Sequence, residues 1–150
     1  MIIPFHKPII PRDLTSLFGS SIKNGWLTTG SVVKQFEQDL KNYTKYENVI
    51  AVNSCTAALH LALAAKGFSK GDKYIAPTYT FVATVEVGEY LSMLPVLVDS
   101  SKNNFNLDLN IVEDLLIKDS SIKAVLPVHF AGEQVSRSEL TYLSEKYNVF

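Results

Sequence analysis

The segment Asn53–Ala58 carries residue types that suit phosphate binding. It follows the apolar run Val49–Val52, which has the pattern of a buried strand, and it leads into a helical pattern over residues 57–66. The free N–H groups and the dipole at the start of a helix attract phosphate. The hydroxyls of Ser54 and Thr56 would add two further donors. This junction is therefore the first candidate for a phosphate site.

Ser54 and Cys55 also have simpler interpretations. Ser54 stands where a helix N-cap is expected, so the segment also fits an ordinary capped helix. Cys55 has no identifiable basic partner that would activate its thiol as a nucleophile. A small residue at the start of a helix explains Cys55, and the small side chain of Ala57 lets the backbone come close to a ligand.

A second candidate, Pro77–Phe81, follows the predicted strand at residues 73–76. The carboxyl ends of neighbouring parallel strands meet in one crevice, so this segment is expected beside the first. An aromatic side chain there would stack on a planar ligand ring. The alternative from the local pattern is that Tyr79 and Phe81 are core aromatics at the start of a helix.

His129 ends a third predicted strand, at residues 122–129, and so belongs to the same expected edge. His6, His60 and His129 do not have the spacing of a metal site. His60 lies among leucines in a predicted helix, where a packed or interface histidine is the expected role.

These candidates require a strand–helix alternation to hold them. Apolar periodicity predicts helices at residues 13–23, 31–43, 57–66, 80–91, 109–117 and 139–147, and strands at residues 49–52, 73–76, 95–99 and 122–129. This order predicts an α/β fold with a mostly parallel sheet and helices on both faces. The last three residues, Asn148–Phe150, begin like another buried strand.

Composition excludes several functional classes. The 150 residues include 47% hydrophobic and 19% charged side chains, which is typical of a globular protein. The chain has 14 basic and 15 acidic residues without a basic cluster, which argues against nucleic acid as a partner. The longest apolar run, Ala57–Ala65, is too short to span a membrane. The N-terminus lacks the features of a secretory signal, and one cysteine forms no internal disulfide, so a soluble cytoplasmic protein is expected.

Taken together, the motifs resemble the DegT/DnrJ/StrS group of pyridoxal-phosphate-dependent sugar aminotransferases, which have fold type I. The similarity covers nearly the whole chain. The matching motifs occur in order and are Gly25–Gly30, Asn53–Leu63, Pro77–Thr84, Pro95–Asp99 and Pro127–Gly132.

The resemblance implies roles for particular residues. Residues 1–30 would form an N-terminal arm and active-site loop, and residues 31–150 an incomplete large domain that binds pyridoxal 5′-phosphate. The cofactor would be held by Ser54, Cys55, Thr56, Ala57 and Phe81, and the substrate by Thr28, Thr29, Gly30 and His129. The implied reaction moves an amino group, usually from glutamate, to a nucleotide-linked keto-sugar, in a homodimer and often for polysaccharide biosynthesis.

The resemblance also implies what the 150 residues lack. Family members are more than twice this length, and both their Schiff-base lysine and the aspartate that pairs with the pyridine nitrogen lie beyond residue 150. We therefore expect the chain alone to be inactive. We also expect an unpaired sheet edge and uncovered apolar helix faces to make it aggregate, or to leave it soluble only with a partner. Two alternatives remain open: a non-catalytic truncated or degenerate copy that acts as an interaction module, and a fragment of a pyridoxal-phosphate-dependent sugar dehydratase.

Overall fold

The computed structural model describes residue 4, residues 7–11 and residues 13–150. The chain divides into two compact units, residues 1–51 and residues 52–150. Part of the predicted N-terminal arm, including His6, lies outside the described residues.

The N-terminal unit contains two helices, α1 (Leu14–Lys23) and α2 (Ser31–Thr44). The loop between them is organised around Trp26, whose indole Nε1 donates to the carbonyl oxygen of Thr29 at 2.9 Å. A Cβ atom on Gly30 would lie 2.3 Å from that same nitrogen. A side chain at position 30 would therefore require the indole ring to move.

The predicted strand at Val49–Val52 is wrong. No strand forms there, and the side chain of Ile50 is 81% exposed. The N–H of Ala51 donates to the Glu37 carboxylate at 2.8 Å rather than to a neighbouring strand. An apolar run shows that a segment suits a buried strand, but a strand forms only where a second strand pairs with it.

The second unit is built on a three-stranded parallel sheet, in which β1 (Lys73–Pro77) lies between β2 (Leu94–Val98) and β3 (Ile122–Val125). The predicted parallel α/β arrangement is thus confirmed for these three strands. Strand β3 ends at Val125, four residues earlier than the sequence pattern predicts.

The last residue, Phe150, continues the sheet beside β3. The N–H of Phe150 donates to the Lys123 carbonyl oxygen at 3.0 Å, and the N–H of Val125 donates to the Phe150 carbonyl oxygen at 2.8 Å. Phe150 thus bonds to the two residues that flank Ala124 on β3, and this is the hydrogen-bond pattern of parallel strands. The prediction that Asn148–Phe150 begin like a strand agrees with this pairing at Phe150, whereas Asn148 has φ +52° and ends α6.

Four helices accompany the sheet: α3 (Cys55–Ala65), α4 (Ala83–Glu89), α5 (Leu109–Lys118) and α6 (Arg137–Tyr147). Side chains cap α3, α5 and α6 at their N-termini. The capping residues are Ser54, Asp108 and Ser136. Helix α4 is shorter than predicted because residues 78–82 form the turn that leaves β1. Among the described helices, none is long and apolar enough to cross a membrane.

The two faces of the sheet bury separate cores, because alternate side chains of β1 point in opposite directions. On the first face, Tyr74 and Ala76 pack with residues of α3 and α4 such as Leu63 and Val87. On the second face, Ile75 packs with residues of α5 and α6, which include Val112, Leu116 and Leu143. Helices on both faces are thereby confirmed.

A close contact between Tyr74 and α4 fixes the first face. The Tyr74 hydroxyl donates to the Val85 carbonyl oxygen. A Cβ atom on Gly88 would lie 2.2 Å from the Tyr74 ring, so only glycine fits there. Burial, with a smaller effect of the Glu89 charge, raises the pKa of Tyr74 to about 12. The phenol therefore stays protonated and keeps donating at ordinary pH.

Candidate functional site

The start of α3 offers two unused backbone donors. Ser54 is extended and its Oγ accepts from the N–H of Ala57 at 3.1 Å, while its carbonyl oxygen accepts from the N–H of Ala58 at the same distance. Ser54 is thus a helix cap, as one of the two interpretations predicts. Among the described residues, the N–H groups of Cys55 and Thr56 have no hydrogen-bond partner.

The turn after β1 presents Phe81 to solvent. The N–H of Thr78 donates to the Val98 carbonyl oxygen at 2.9 Å, and its hydroxyl donates to Asp99 Oδ1 at 3.1 Å. These bonds tie the ends of β1 and β2 together. The Phe81 side chain is 76% exposed, so its interpretation as a core aromatic is wrong.

His129 begins a tight loop beyond the end of β3. Its Nδ1 accepts from the N–H of Val135 at 3.1 Å. Asn106, which is buried, joins the two sides of the same loop: its Oδ1 accepts from the N–H of Phe130 at 3.2 Å, and its Nδ2 donates to the Glu133 carbonyl oxygen at 3.1 Å.

A cavity of about 920 Å³ brings several of these groups together. It lies beyond the carboxyl ends of β1 and β3, where open α/β sheets bind their ligands. Of the predicted site residues, Cys55, Phe81 and His129 line it. Thr84 and Thr80, whose hydroxyl oxygens lie 2.8 Å apart, also contribute to its wall.

The cavity wall is mostly apolar. Among the described residues, none of those that line it is a lysine, an arginine, an aspartate or a glutamate. No group of three or more His, Cys, Asp or Glu side chains is placed to bind a metal in the part of the chain that the structure describes. The remaining polar groups can bind and orient a ligand by hydrogen bonds.

The other predicted site residues fall elsewhere. Ser54, Thr56 and Ala57 adjoin Cys55 at the start of α3 without lining the cavity. Thr28 and Gly30 border a separate hollow of about 250 Å³ within the N-terminal unit. The carbonyl oxygen of the remaining predicted residue, Thr29, is engaged by Trp26.

Sequence reasoning missed an aromatic cluster at the edge of the cavity. The ring centroids of Tyr79, Phe105 and Phe130 lie 4.8 to 5.2 Å from one another, in tilted and edge-to-face contacts. It also missed Asn106. The three aromatics are distant in sequence, and the available signal was that each lies in a segment that follows a predicted strand.

The sequence model of the DegT/DnrJ/EryC1/StrS aminotransferase family matches residues 9–150. The chain belongs to this family. It is 32% identical over 148 residues to the spore coat polysaccharide biosynthesis protein SpsC of Bacillus subtilis strain 168, and 30% identical over 147 residues to the UDP-4-amino-4-deoxy-L-arabinose–oxoglutarate aminotransferase of Shewanella sediminis strain HAW-EB3. These alignments cover 99% and 98% of the chain, but 38% and 37% of the relatives.

Solved structures share the fold. The protein Spr1654 from Streptococcus pneumoniae, in its PMP form, superimposes with a TM-score of 0.90 at 31% identity, over 97% of this chain and 36% of that one. The same protein is also solved in its PLP form. Family neighbours are thus solved with pyridoxal phosphate and pyridoxamine phosphate, the cofactor that the sequence resemblance implies.

Proposed function

We propose that the cavity binds pyridoxal 5′-phosphate and that the chain contributes this cofactor site to a sugar aminotransferase. The observation that carries the proposal is that Cys55, at the start of α3 where two N–H groups are free, and the exposed Phe81 ring line the same cavity. A phosphate needs donors and the dipole of a helix start, and a planar ring needs an apolar surface.

The residues present fit the cofactor in size and chemistry. A volume of about 920 Å³ leaves room for a substrate beside a compact cofactor. The phosphate would bind at Ser54–Ala57, with the N–H groups of Cys55 and Thr56 as donors, and Ser54 would keep the helix start in place by capping it. Phe81 would stack on the pyridine ring and keep water from that side.

The bound cofactor would supply the electron sink that lets an amino group leave one carbon and enter another. This chain's own residues would bind and orient it. A lysine that could hold it covalently is not among the described residues that line the cavity.

The substrate of the whole protein is proposed to be a nucleotide-linked keto-sugar, with glutamate as the amino donor. The name of the Shewanella relative supports this, because it pairs a UDP-linked amino sugar with oxoglutarate, the keto acid that corresponds to glutamate. The name of the Bacillus relative points to polysaccharide biosynthesis. We further propose Thr28, Thr29 and Gly30 as substrate contacts, a homodimeric enzyme and a cytoplasmic location.

Binding of pyridoxamine 5′-phosphate to the chain tests the proposal, because this form of the cofactor does not condense with surface lysines. Cys55→Asp should weaken binding at least about 10-fold, since a carboxylate at the helix start repels the phosphate. The same charge favours the helix dipole, so folding should be preserved. Cys55→Asn is the uncharged control of equal size and should bind like the wild type. Titration calorimetry and circular dichroism measure the two effects.

The ring contact has its own variant pair. Phe81→Leu should lower the affinity about 3- to 10-fold, because the stacking surface is lost. Phe36→Leu removes an exposed phenylalanine of α2 and should leave the affinity unchanged. Unchanged binding in both Cys55→Asp and Phe81→Leu would contradict the proposed site.

The 150-residue chain alone should not catalyse transamination, because no described residue lining the cavity is a lysine or a carboxylate. The assay combines the chain with pyridoxal phosphate, glutamate and a panel of nucleotide-linked keto-sugars, and it measures 2-oxoglutarate. Formation above a control with free cofactor would contradict this expectation and direct attention to Lys70, Lys73 and Lys102.

A further inference from the structure

The His129 ring is held by its Nδ1 atom. That nitrogen accepts from the N–H of Val135 at 3.1 Å, and the Val135 side chain is 4% exposed. A backbone N–H is always a donor, so Nδ1 must present its lone pair. The bond therefore ties the ring to a residue that the core already fixes.

The proton of the neutral ring is consequently on Nε2. A neutral imidazole has one donor and one acceptor nitrogen, and the bond that one nitrogen makes decides the role of the other. With Nδ1 committed as the acceptor, Nε2–H is the group that remains for a ligand. His129 also lines the 920 Å³ cavity, and we infer from this that the donor faces the candidate site.

The loop around His129 is fixed independently of the ring. Asn106, 6% exposed, binds the N–H of Phe130 and the carbonyl oxygen of Glu133. Between these two bonds, Ala131 has φ +50° and Gly132 has φ +85°. A left-handed alanine persists only where its surroundings enforce it. The loop that carries the His129 ring is therefore ordered by the protein itself, without a ligand.

We propose that His129 is a ligand-binding donor of fixed tautomer, whose Nε2–H binds an acceptor oxygen of the molecule in the cavity. This inference rests on the proposed function, since it takes the cavity as the site. Two molecules could present the oxygen, the phosphorylated pyridine cofactor or the nucleotide-linked sugar. The two are separated by using a different probe for each.

The tautomer is decided without any ligand. The nitrogen chemical shifts of the His129 ring, recorded by ¹H–¹⁵N long-range correlation on the whole chain and assigned with a His129→Gln sample, distinguish the two neutral forms. We expect Nε2 to be protonated and Nδ1 to be bare. A protonated Nδ1, or an average of the two forms, would overturn the inference whatever the ligand proves to be.

Two amide variants separate the roles of the ring nitrogens. The amide of His129→Asn reaches only as far as Nδ1, so it can still accept from Val135 but loses the distal donor. The amide of His129→Gln reaches the position of Nε2, so it keeps that donor and loses the bond to Val135. The inference predicts that the first variant binds ligand weakly and that the second mainly unfolds more easily.

Affinities are measured with pyridoxamine 5′-phosphate and with UDP-glucose as separate probes, and stability is measured by urea unfolding. His129→Asn should bind one of the probes about 3- to 10-fold more weakly, which is the range for one hydrogen bond, and the affected probe identifies the source of the oxygen. If His129→Asn binds both probes like the wild type, the inference fails while the proposed function stands. If the wild type binds neither probe, the proposed function and the ligand contact both fail. The tautomer measurement then still shows which ring nitrogen of His129 carries the proton.

Discussion

The two faces of the sheet are built by different means. The first face places the Tyr74 ring directly on Gly88 and packs it in a core that includes Ala76 and Leu63. It borders the cavity through Leu59 of α3 and Thr84 of α4. The second face is a core of aliphatic side chains beneath α5 and α6. The stability of the first face depends on the close fit between Gly88 and the Tyr74 ring. The stability of the second face depends on the total volume of its apolar side chains.

The ion pairs of the described residues belong to the second face. Lys146 of α6 binds Glu113 of α5 at 2.9 Å, and Lys73 of β1 binds Asp119, the residue that ends α5, at 2.6 Å. The second face is thus held by aliphatic packing, and two ion pairs lie at its border. The first face leaves an open cavity beside a rigid contact, which suits a site that must hold a planar ligand in one orientation.

Gly88→Ala should produce the largest effect, because the new methyl group would occupy the space of the Tyr74 ring. We expect the free energy of unfolding to fall by about 3 kcal/mol, at the upper end of overpacking costs. Gly19→Ala is the matched control in α1, where a Cβ atom meets nothing within 4 Å and alanine favours the helix. Urea denaturation measures both variants. Equal stability of Gly88→Ala and wild type would remove the shape argument for the first face.

Tyr74→Phe should cost about 1.5 kcal/mol of unfolding free energy, since the Val85 carbonyl oxygen loses a buried donor while the ring stays in place. The variant should also lose the phenol that ionises with a pKa of about 12, which the absorbance of tyrosinate reports during alkaline titration. A variant as stable as wild type would show that ring shape alone holds α4.

Ile75→Val changes the neighbouring strand residue, which points to the second face. Removal of one methylene from an aliphatic core should cost about 1 kcal/mol. The comparison with Tyr74→Phe and Gly88→Ala is made under the same denaturation conditions. A loss of unfolding free energy as large as that of Gly88→Ala would mean that both faces depend on exact shape.

Asp119→Asn should have the smallest effect at neutral pH, because exposed ion pairs contribute little. The hydrogen bond from Lys73, followed by those from Ser121, lowers the pKa of Asp119 from 3.8 to about 2. A lowered pKa means that the ionised form stabilises the fold, and that this contribution is present above pH about 4 and is lost as the pH falls toward about 2.

The unfolding free energy of Asp119→Asn should therefore vary less with pH between about 4 and 2 than that of the wild type. Lys73→Met removes the partner and should flatten the same part of the profile. If neither variant changes the profile, the ionisation of Asp119 does not contribute to the pH dependence of the free energy of unfolding.

Much of the fold was predictable because its signals are local. Apolar periodicity and capping residues such as Ser54 and Asp108 depend on neighbours within one turn of helix, so the helix positions followed from the sequence. The expected edge of the sheet also followed, since parallel strands place their carboxyl ends together. Cys55, Phe81 and His129 accordingly line one cavity.

Other features depend on pairing that sequence patterns do not report. Val49–Val52 had the composition of a buried strand, but the N–H of Ala51 binds the Glu37 carboxylate instead of a second strand. The contact of Tyr74 with Gly88 joins residues 14 positions apart on a strand and a helix, and the required space is visible only when both are packed.

The sequence by itself determined the order and type of most elements, the family, and the segments that carry the candidate site, because propensity, capping and motif order are properties of short stretches of chain. Tertiary structure alone decided which nitrogen of His129 remains free for a ligand. Val135 binds Nδ1 of His129 and leaves Nε2. A donor becomes available or unavailable only when its competing partners have been placed, and that placement is a property of the folded chain.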